Sequence, residues 1–214
     1  MTKLDEIGFN KKTDLLISVG DLVDRGHQSV RCATLITESW FECVRGNHEQ
    51  FCIDGLLEPY MKNVHIQNGG QWFYDLPEHV QESLYQIFNE LPYMIEVRFK
   101  GKKFGFVHAN LPYESLDRNK QELLENGVTH NGRSVKSNML WSRDMVEFAL
   151  YNNGTFNVSD IDNVFFGHTI QEDGVLQVGN CTFLDTGAFI NEIYKVKGQN
   201  NYGLTILNLS DFVN

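Results

Sequence analysis

Four short apolar runs along the chain each end in a polar loop that contains glycine. Leu15-Leu16-Ile17-Ser18-Val19 opens into Gly20-Asp21, and Phe41 to Val44 into Arg45-Gly46-Asn47. Val164-Phe165-Phe166 opens into Gly167-His168-Thr169, and Phe183-Leu184 into Asp185-Thr186-Gly187. Runs this short, rich in β-branched and aromatic residues, predict buried strands. Each loop carries a side chain of metal-ligand type, and loops at strand C-termini are where α/β folds place their ligands. Between these runs, Val80, Leu84, Ile87, Phe88 and Leu91 recur at helical spacing and predict an amphipathic packing helix from Glu78 to Leu91. Ile95, Val97 and Phe99 alternate with polar residues, Lys100-Gly101-Lys102-Lys103 turns, and Phe104, Phe106 and His108 resume the period. That predicts a hairpin over Met94 to His108, with His108 on the face of Phe104 and Phe106. Leu204 to Leu207 is the expected last strand. The polar stretch Glu114 to Asn138 carries no pattern that assigns it a shape. No repeat, low-complexity tract or linker interrupts the chain, which is expected to form one domain over residues 1–214.

A chain of 214 residues can bury a sizeable core. Its formal net charge of −10 argues against nucleic-acid binding through a broad basic face. Phosphate chemistry would have to rest on local positive charge, from a few arginines and bound metal. No apolar stretch is long enough to span a membrane, and Met1-Thr2-Lys3-Leu4-Asp5-Glu6 contains no apolar secretory core. Cys32, Cys43, Cys52 and Cys181 form no C-x-x-C pair, which fits reduced thiols in a cytoplasmic protein.

The chemistry-bearing residues cluster in the loops. Gly20-Asp21-Leu22-Val23-Asp24-Arg25-Gly26 packs two carboxylates and an arginine between glycines. Taken alone it also fits a turn with a structural salt bridge. Arg45-Gly46-Asn47-His48-Glu49 offers an amide oxygen suited to hard divalent cations and a histidine that can ligate or donate a proton. Taken alone it also fits a loop that caps a helix. His108 and His168 each stand at a strand end. His27 directly follows the first motif, where it could line a pocket rim. His65, His79 and His130 have no such context and are read as surface or core residues.

Taken in order, these segments resemble the signature of the phosphoprotein phosphatase family of metallophosphoesterases. Trp141-Ser142-Arg143 and Asp185-Thr186-Gly187-Ala188 belong to the match. Phe9 and Asn68-Gly69-Gly70 with Trp72-Phe73 look like its bacteriophage lambda-type Ser/Thr phosphatase subgroup. The resemblance covers nearly the whole chain. It implies an α/β calcineurin-like αββα sandwich, two mixed sheets flanked by helices. It also implies a site for two divalent ions, Mn²⁺ foremost, with Fe or Zn as alternatives. By matching positions, Asp21 resembles the carboxylate that bridges both metals, and Asn47, His108 and His168 the other ligands of the second. His48 resembles the general acid and Asp24 the carboxylate that orients it. Arg25, Arg45 and Arg143 resemble the phosphate-binding arginines. The implied reaction is in-line attack of a metal-bound hydroxide on a phosphomonoester, with phosphorylated proteins or peptides as substrates.

The family pattern has one further motif, GDxHG, upstream of Gly20. None of the nineteen residues before Gly20 reads so. The expectation is that Met1 is an internal methionine of a longer protein or that the chain is a truncation, lacking the first strand of the fold and with a weakened first metal site. A diadenosine polyphosphate or small phosphoester hydrolase is the alternative activity. The related dinucleotide hydrolases tend to carry Ala at the position of Asp24, so Val23-Asp24-Arg25-Gly26 favours a protein phosphatase. The non-enzymatic alternative is a catalytically impaired phosphate-binding or interaction protein. Retention of both His48 and Asp24 weighs against it, since binding alone needs no general acid.

Overall fold

The structure is a computed structural model and describes residues 2–129, 132–190 and 202–213. Helix α1 (Thr2–Glu6) precedes strand β1 (Leu16–Ser18), and α2 (Ser29–Ala33) precedes β2 (Phe41–Cys43). A helical run follows: α3 (Asn47–Leu57), α4 (Pro59–His65), a wide turn over Ile66–Gly70, α5 (Gln71–Tyr74) and α6 (Glu78–Glu90). The hairpin β3 (Met94–Phe99) and β4 (Lys102–Val107) leads to α7 (Leu116–Leu124), α8 (Val135–Trp141) and α9 (Asp144–Asn152). Strands β5 (Asn163–Phe166), β6 (Leu176–Val178) and β7 (Cys181–Phe183) follow, and a 3-10 turn covers Leu209–Phe212. No described helix is long and apolar enough to cross a membrane.

Among the described residues the strands form two sheets. β1 and β2 pair in parallel, with Leu16 opposite Phe41 and Ser18 opposite Cys43. The larger sheet runs β3-β4-β5-β7-β6, with β4, β5 and β7 mutually parallel and β3 and β6 antiparallel at its edges. The larger sheet is mixed, as expected. The smaller one has only its parallel pair among the described residues.

Side-chain alternation sets the layers. Phe104, Phe106 and Phe165 face the smaller sheet and pack with Val44, Ile17 and Val19. Val107, Val164, Phe166 and Phe183 face the opposite way, onto Leu116 of α7, Val135 and Met139 of α8 and Val146 of α9. The outer side of the smaller sheet packs Leu16, Phe41 and Cys43 against Ile53, Phe73, Leu84 and Phe88 of the helical run. Helices, sheet, sheet and helices therefore stack as the expected αββα sandwich. β5 lies inside the larger sheet and is buried at all four positions, which is why its sequence is a continuous apolar run after Asn163.

Two expectations on local structure are corrected. Leu204 to Leu207 forms no strand. Its polar neighbours are held by side-chain bonds instead of a ladder: the Thr186 hydroxyl lies 2.6 Å from both the Gly203 carbonyl and the Thr205 hydroxyl. The hairpin turn is shorter than expected. Lys100 and Gly101 alone turn the chain, at φ 48° and 81°, and Lys102 already pairs with Phe99. Two central residues at positive φ match the twist of the flanking strands. The unassigned stretch holds α7 and the start of α8, each begun by a serine. The Ser115 Oγ accepts from the Arg118 N–H and the Ser134 Oγ from the Ser137 N–H. His130 lies outside the described residues.

Phe165 joins the two sheets. It stacks on Phe106 at 5.2 Å and meets the edge of Phe212 at 5.0 Å. Phe165→Ala is expected to cost about 3–5 kcal/mol, read as a lowered midpoint in urea unfolding. A loss below about 1 kcal/mol would show that the inter-sheet layer refills the cavity.

Candidate active site

Because β1 and β2 run parallel, and β4, β5 and β7 do too, each sheet brings its strand C-termini to one edge. The loops after β1, β2, β4 and β5 meet there, and their side chains converge. The Asn47 Oδ1 lies 2.9 Å from the His108 Nε2 and 2.8 Å from the His168 Nδ1. The Asp21 Oδ1 lies 3.4 Å from the same His108 Nε2. Asp21, His108 and His168 each offer a ligand atom within 4.8 Å of the others'. Asp21 and His168 hold left-handed backbone, φ 56° and 68°, as do Asp24 and Arg25 at 71° and 60°. Non-glycine residues seldom adopt this region, and it clusters at functional sites.

The residues fit a cation by their donor chemistry. The His108 Nδ1 faces the Val19 carbonyl at 2.7 Å and the His168 Nε2 faces the Trp141 carbonyl at 3.3 Å. A carbonyl only accepts, so those ring nitrogens carry the protons and donate. The inward nitrogens then present lone pairs toward the oxygens of Asn47 and Asp21. Acceptors that face acceptors need a cation between them, and outer carbonyls that fix ring orientation are the usual support of such ligands. Burial above all, with the Arg143 guanidinium nearby, lowers the His168 pKa to about 3, which keeps the ring neutral. Burial works against the Asp21 carboxylate, but His108, His48 and the His48 N–H hold its pKa below the ordinary value.

Two carboxylates position this set. The Asp21 Oδ1 accepts from the His48 N–H at 3.0 Å, at the first turn of α3. Glu49, fully buried, accepts from the backbone N–H groups of Asp21 (2.9 Å), Leu22 (2.7 Å) and Gly46 (2.8 Å). A Cβ at Gly46 would stand 2.3 Å from the Asp21 Oδ1, so only glycine lets the two loops close.

Beside this set, the His48 Nδ1 lies 2.5 Å from the Asp24 Oδ2, with both side chains buried. Burial disfavours the His48 imidazolium, but the Asp24 hydrogen bond and the charges of Asp21 and Asp24 outweigh it and raise its pKa. Burial also raises Asp24, but the hydrogen bonds from His48 and His65 pull its pKa below the ordinary value. Asp24 has further partners that the sequence did not single out. The His65 Nε2 lies 3.1 and 3.0 Å from its two oxygens, and the Trp72 Nε1 donates to Oδ1 at 2.6 Å. His65, read from sequence as a surface or core residue, is in the core and touches the site. Its signal was its place three residues before Asn68-Gly69-Gly70.

The three arginines part company. Arg143 is exposed, and its side chain makes no hydrogen bond or ion pair among the described residues. Arg25 lies over the Phe189 ring at 4.4 Å. Arg45 is committed elsewhere: it donates to Gln50, to the Tyr93 hydroxyl and to the Asn89 and Leu91 carbonyls. Using it for phosphate, as its motif position suggests, would break those bonds and strand the buried Leu91 carbonyl. His27 and His79 are exposed.

Comparison with known proteins places this geometry. Residues 1–172 match the calcineurin-like phosphoesterase family model. The chain is similar to serine/threonine-protein phosphatase 1 of Salmonella typhimurium, 34% identical over 191 residues, covering 88% of this chain and 80% of the relative. It is similar to serine/threonine-protein phosphatase 2 of the same organism, 32% identical over 203 residues, covering 92% and 86%. The Escherichia coli serine/threonine-protein phosphatase 2 is 30% identical over 190 residues, covering 87% and 80%. A solved structure assigned to the diadenosine tetraphosphatases shares the fold, with TM-score 0.54 and 19% identity over 88% of this chain and 77% of that one.

Two measurements test the site. Glu49→Gln places an amide NH₂ against backbone N–H groups in either orientation. It is expected to lower stability by about 1–3 kcal/mol in urea unfolding, and an unchanged midpoint would break the assigned tie. The second is stability against pH in the metal-free protein. The Asp24 contribution is complete above its ordinary value of 3.8 and lost as pH falls through its depressed folded pKa. The His48 contribution is complete below 6.5 and lost as pH rises through its raised folded pKa. The pair therefore stabilises most between these ordinary values. His48→Asn is expected to flatten the alkaline loss, whereas parallel profiles would show that the pair does not stabilise the fold.

Proposed function

This chain belongs to the calcineurin-like phosphoesterase family, and on that premise we propose that it is a serine/threonine protein phosphatase that takes phosphorylated proteins or peptides as substrates. The observation that carries this reading is the buried His48–Asp24 pair beside the converging ligands. Family membership makes the chain a metal-dependent hydrolase. Asp21, Asn47, His108 and His168 would hold a divalent ion, for which we favour Mn²⁺. Such an ion supplies Lewis-acid polarisation of the phosphoryl group.

The protein's own residues supply the rest. A serine or threonine oxygen is a poor leaving group and needs a proton as the ester bond breaks. The His48 Nδ1 is held by Asp24, so its Nε2 carries that proton, and the raised pKa favours the charged ring. Asp24 fixes the ring orientation and balances the charge. Arg143 and Arg25 would bind the phosphate oxygens through their planar forks. The bonding of Arg45 supports a scaffold role instead, tying the loop after β2 to the end of α6 and the residue that follows it. Four free cysteines, three of them buried, support a reducing, cytoplasmic location.

The test is steady-state hydrolysis of a phosphoserine peptide over a Mn²⁺ titration, with diadenosine tetraphosphate as competitor substrate. Turnover that saturates with Mn²⁺, prefers the peptide and falls about 10²–10⁴-fold in His48→Asn is expected. Strong preference for the dinucleotide would overturn the protein-phosphatase reading. Saturable peptide binding without turnover under any divalent metal would make the chain a phosphate-binding protein.

A further inference from the structure

Asp24 is more heavily bonded than its pairing with His48 requires. Three side-chain N–H groups point at one buried carboxylate: those of His48, His65 and Trp72. An ionised carboxylate accepts only, so the His65 Nε2 must bear its proton. The other ring nitrogen, Nδ1, faces the Tyr74 hydroxyl at 2.9 Å, which donates to it. Burial above all, with the nearby Cys52 and Asp24, raises the Tyr74 phenol, so this hydroxyl keeps its proton. The chain of bonds runs from Tyr74 through His65 and Asp24 to His48.

The His65 ring has no freedom to leave this line. It is fully buried, and Phe51 stacks on it at 5.6 Å with planes 15° apart. A Cβ at Gly70 would stand 2.0–2.1 Å from the ring, so the Asn68-Gly69-Gly70 turn brings bare backbone onto the imidazole. The wide turn over Ile66–Gly70 is broken at Gly69, φ 100°, and it lets His65 at the end of α4 and Trp72 in α5 reach one carboxylate. Such departures from α-helical winding often mark functional sites.

We propose that His65 is a positioning residue for phosphoester cleavage: with its tautomer set by Tyr74, it clamps the Asp24 carboxylate beside Trp72 and so fixes the imidazole of His48. This rests on the reading of His48 as the proton donor to the leaving oxygen. The donors His65 and Trp72 share the carboxylate with His48 and hold its plane, the geometry that a second layer of hydrogen bonds imposes on a catalytic group. Loss of the clamp lets the carboxylate turn, and the His48 proton is then delivered less well.

A scaffold role and a positioning role predict different kinetics. The test compares p-nitrophenyl phosphate, whose leaving group needs little protonation, with phenyl phosphate, whose leaving group needs more. Wild type, His48→Asn, His65→Phe, His65→Gln and Tyr74→Phe are assayed at saturating Mn²⁺. Tyr74→Phe and His65→Phe are expected to lower kcat on phenyl phosphate about tenfold, a fraction of a full general-acid effect. The loss on p-nitrophenyl phosphate should be much smaller, with KM unchanged on both. His65→Gln, which keeps an amide N–H near the Nε2 position, is expected to recover most of the loss. Equal losses on both substrates, or no loss in either variant, overturn the proposal. Urea unfolding of Tyr74→Phe keeps the test open should His65→Phe fail to fold. The His48→Asn variant separates the two levels. If it penalises phenyl phosphate selectively and the His65 and Tyr74 variants do not, only the clamp fails. If it shows no leaving-group selectivity, the proton-donor reading fails and the clamp with it.

Discussion

The Glu49 carboxylate sits in the first turn of α3 and accepts backbone N–H groups from both the loop after β1 and the loop before α3. Everything else in the site depends on that closure. It sets the Asp21 backbone where its side chain can face His108 and receive the His48 N–H. It also brings Asp24, three residues further on, beside the His48 ring. Burying a carboxylate is costly unless its lone pairs are used, and here backbone groups use them. The same bonds satisfy the N–H at the start of α3, which a helix end always leaves over.

One side-chain type is pushed in two opposite directions within this small space. His168 is lowered toward the neutral state by burial and by neighbouring positive charge, which suits a ligand. His48 is also buried, but two carboxylates reverse the balance and hold a proton on it. Environment alone separates them, as it separates acid and base roles in many active sites. Strain accompanies the arrangement. Four non-glycine residues of the site hold left-handed backbone, and they persist because the sheets on either side over-determine their positions.

The strands, the amphipathic helix and the hairpin were legible because their apolar periods are local and strong. Val164-Phe165-Phe166 reads as a buried strand, and the hairpin was legible in its alternation although its turn was read two residues too long. The helices α7 and α8 were hidden because their apolar positions are sparse, although Ser115 and Ser134 stood at their starts. Leu204 to Leu207 has a strand's composition, but composition does not say whether a neighbouring edge will accept it. Here the Thr186 hydroxyl of the Asp185-Thr186-Gly187 loop engages the Gly203 carbonyl and the Thr205 hydroxyl.

For the site, the sequence by itself determined the types of residue and their loops: Asp21, Asp24, Asn47, His48, His108 and His168 stand in motifs whose chemistry needs those types at those spacings. Only the tertiary structure decided which way each side chain points. Arg45 stands in a motif yet spends its donors on the Asn89 and Leu91 carbonyls, and His65 stands in none yet bonds to Asp24. The reason is physical. A motif records short-range backbone geometry, whereas a buried polar atom takes whatever partner the packed core brings within about 3 Å, and that partner can lie 41 residues away, as His65 does from Asp24.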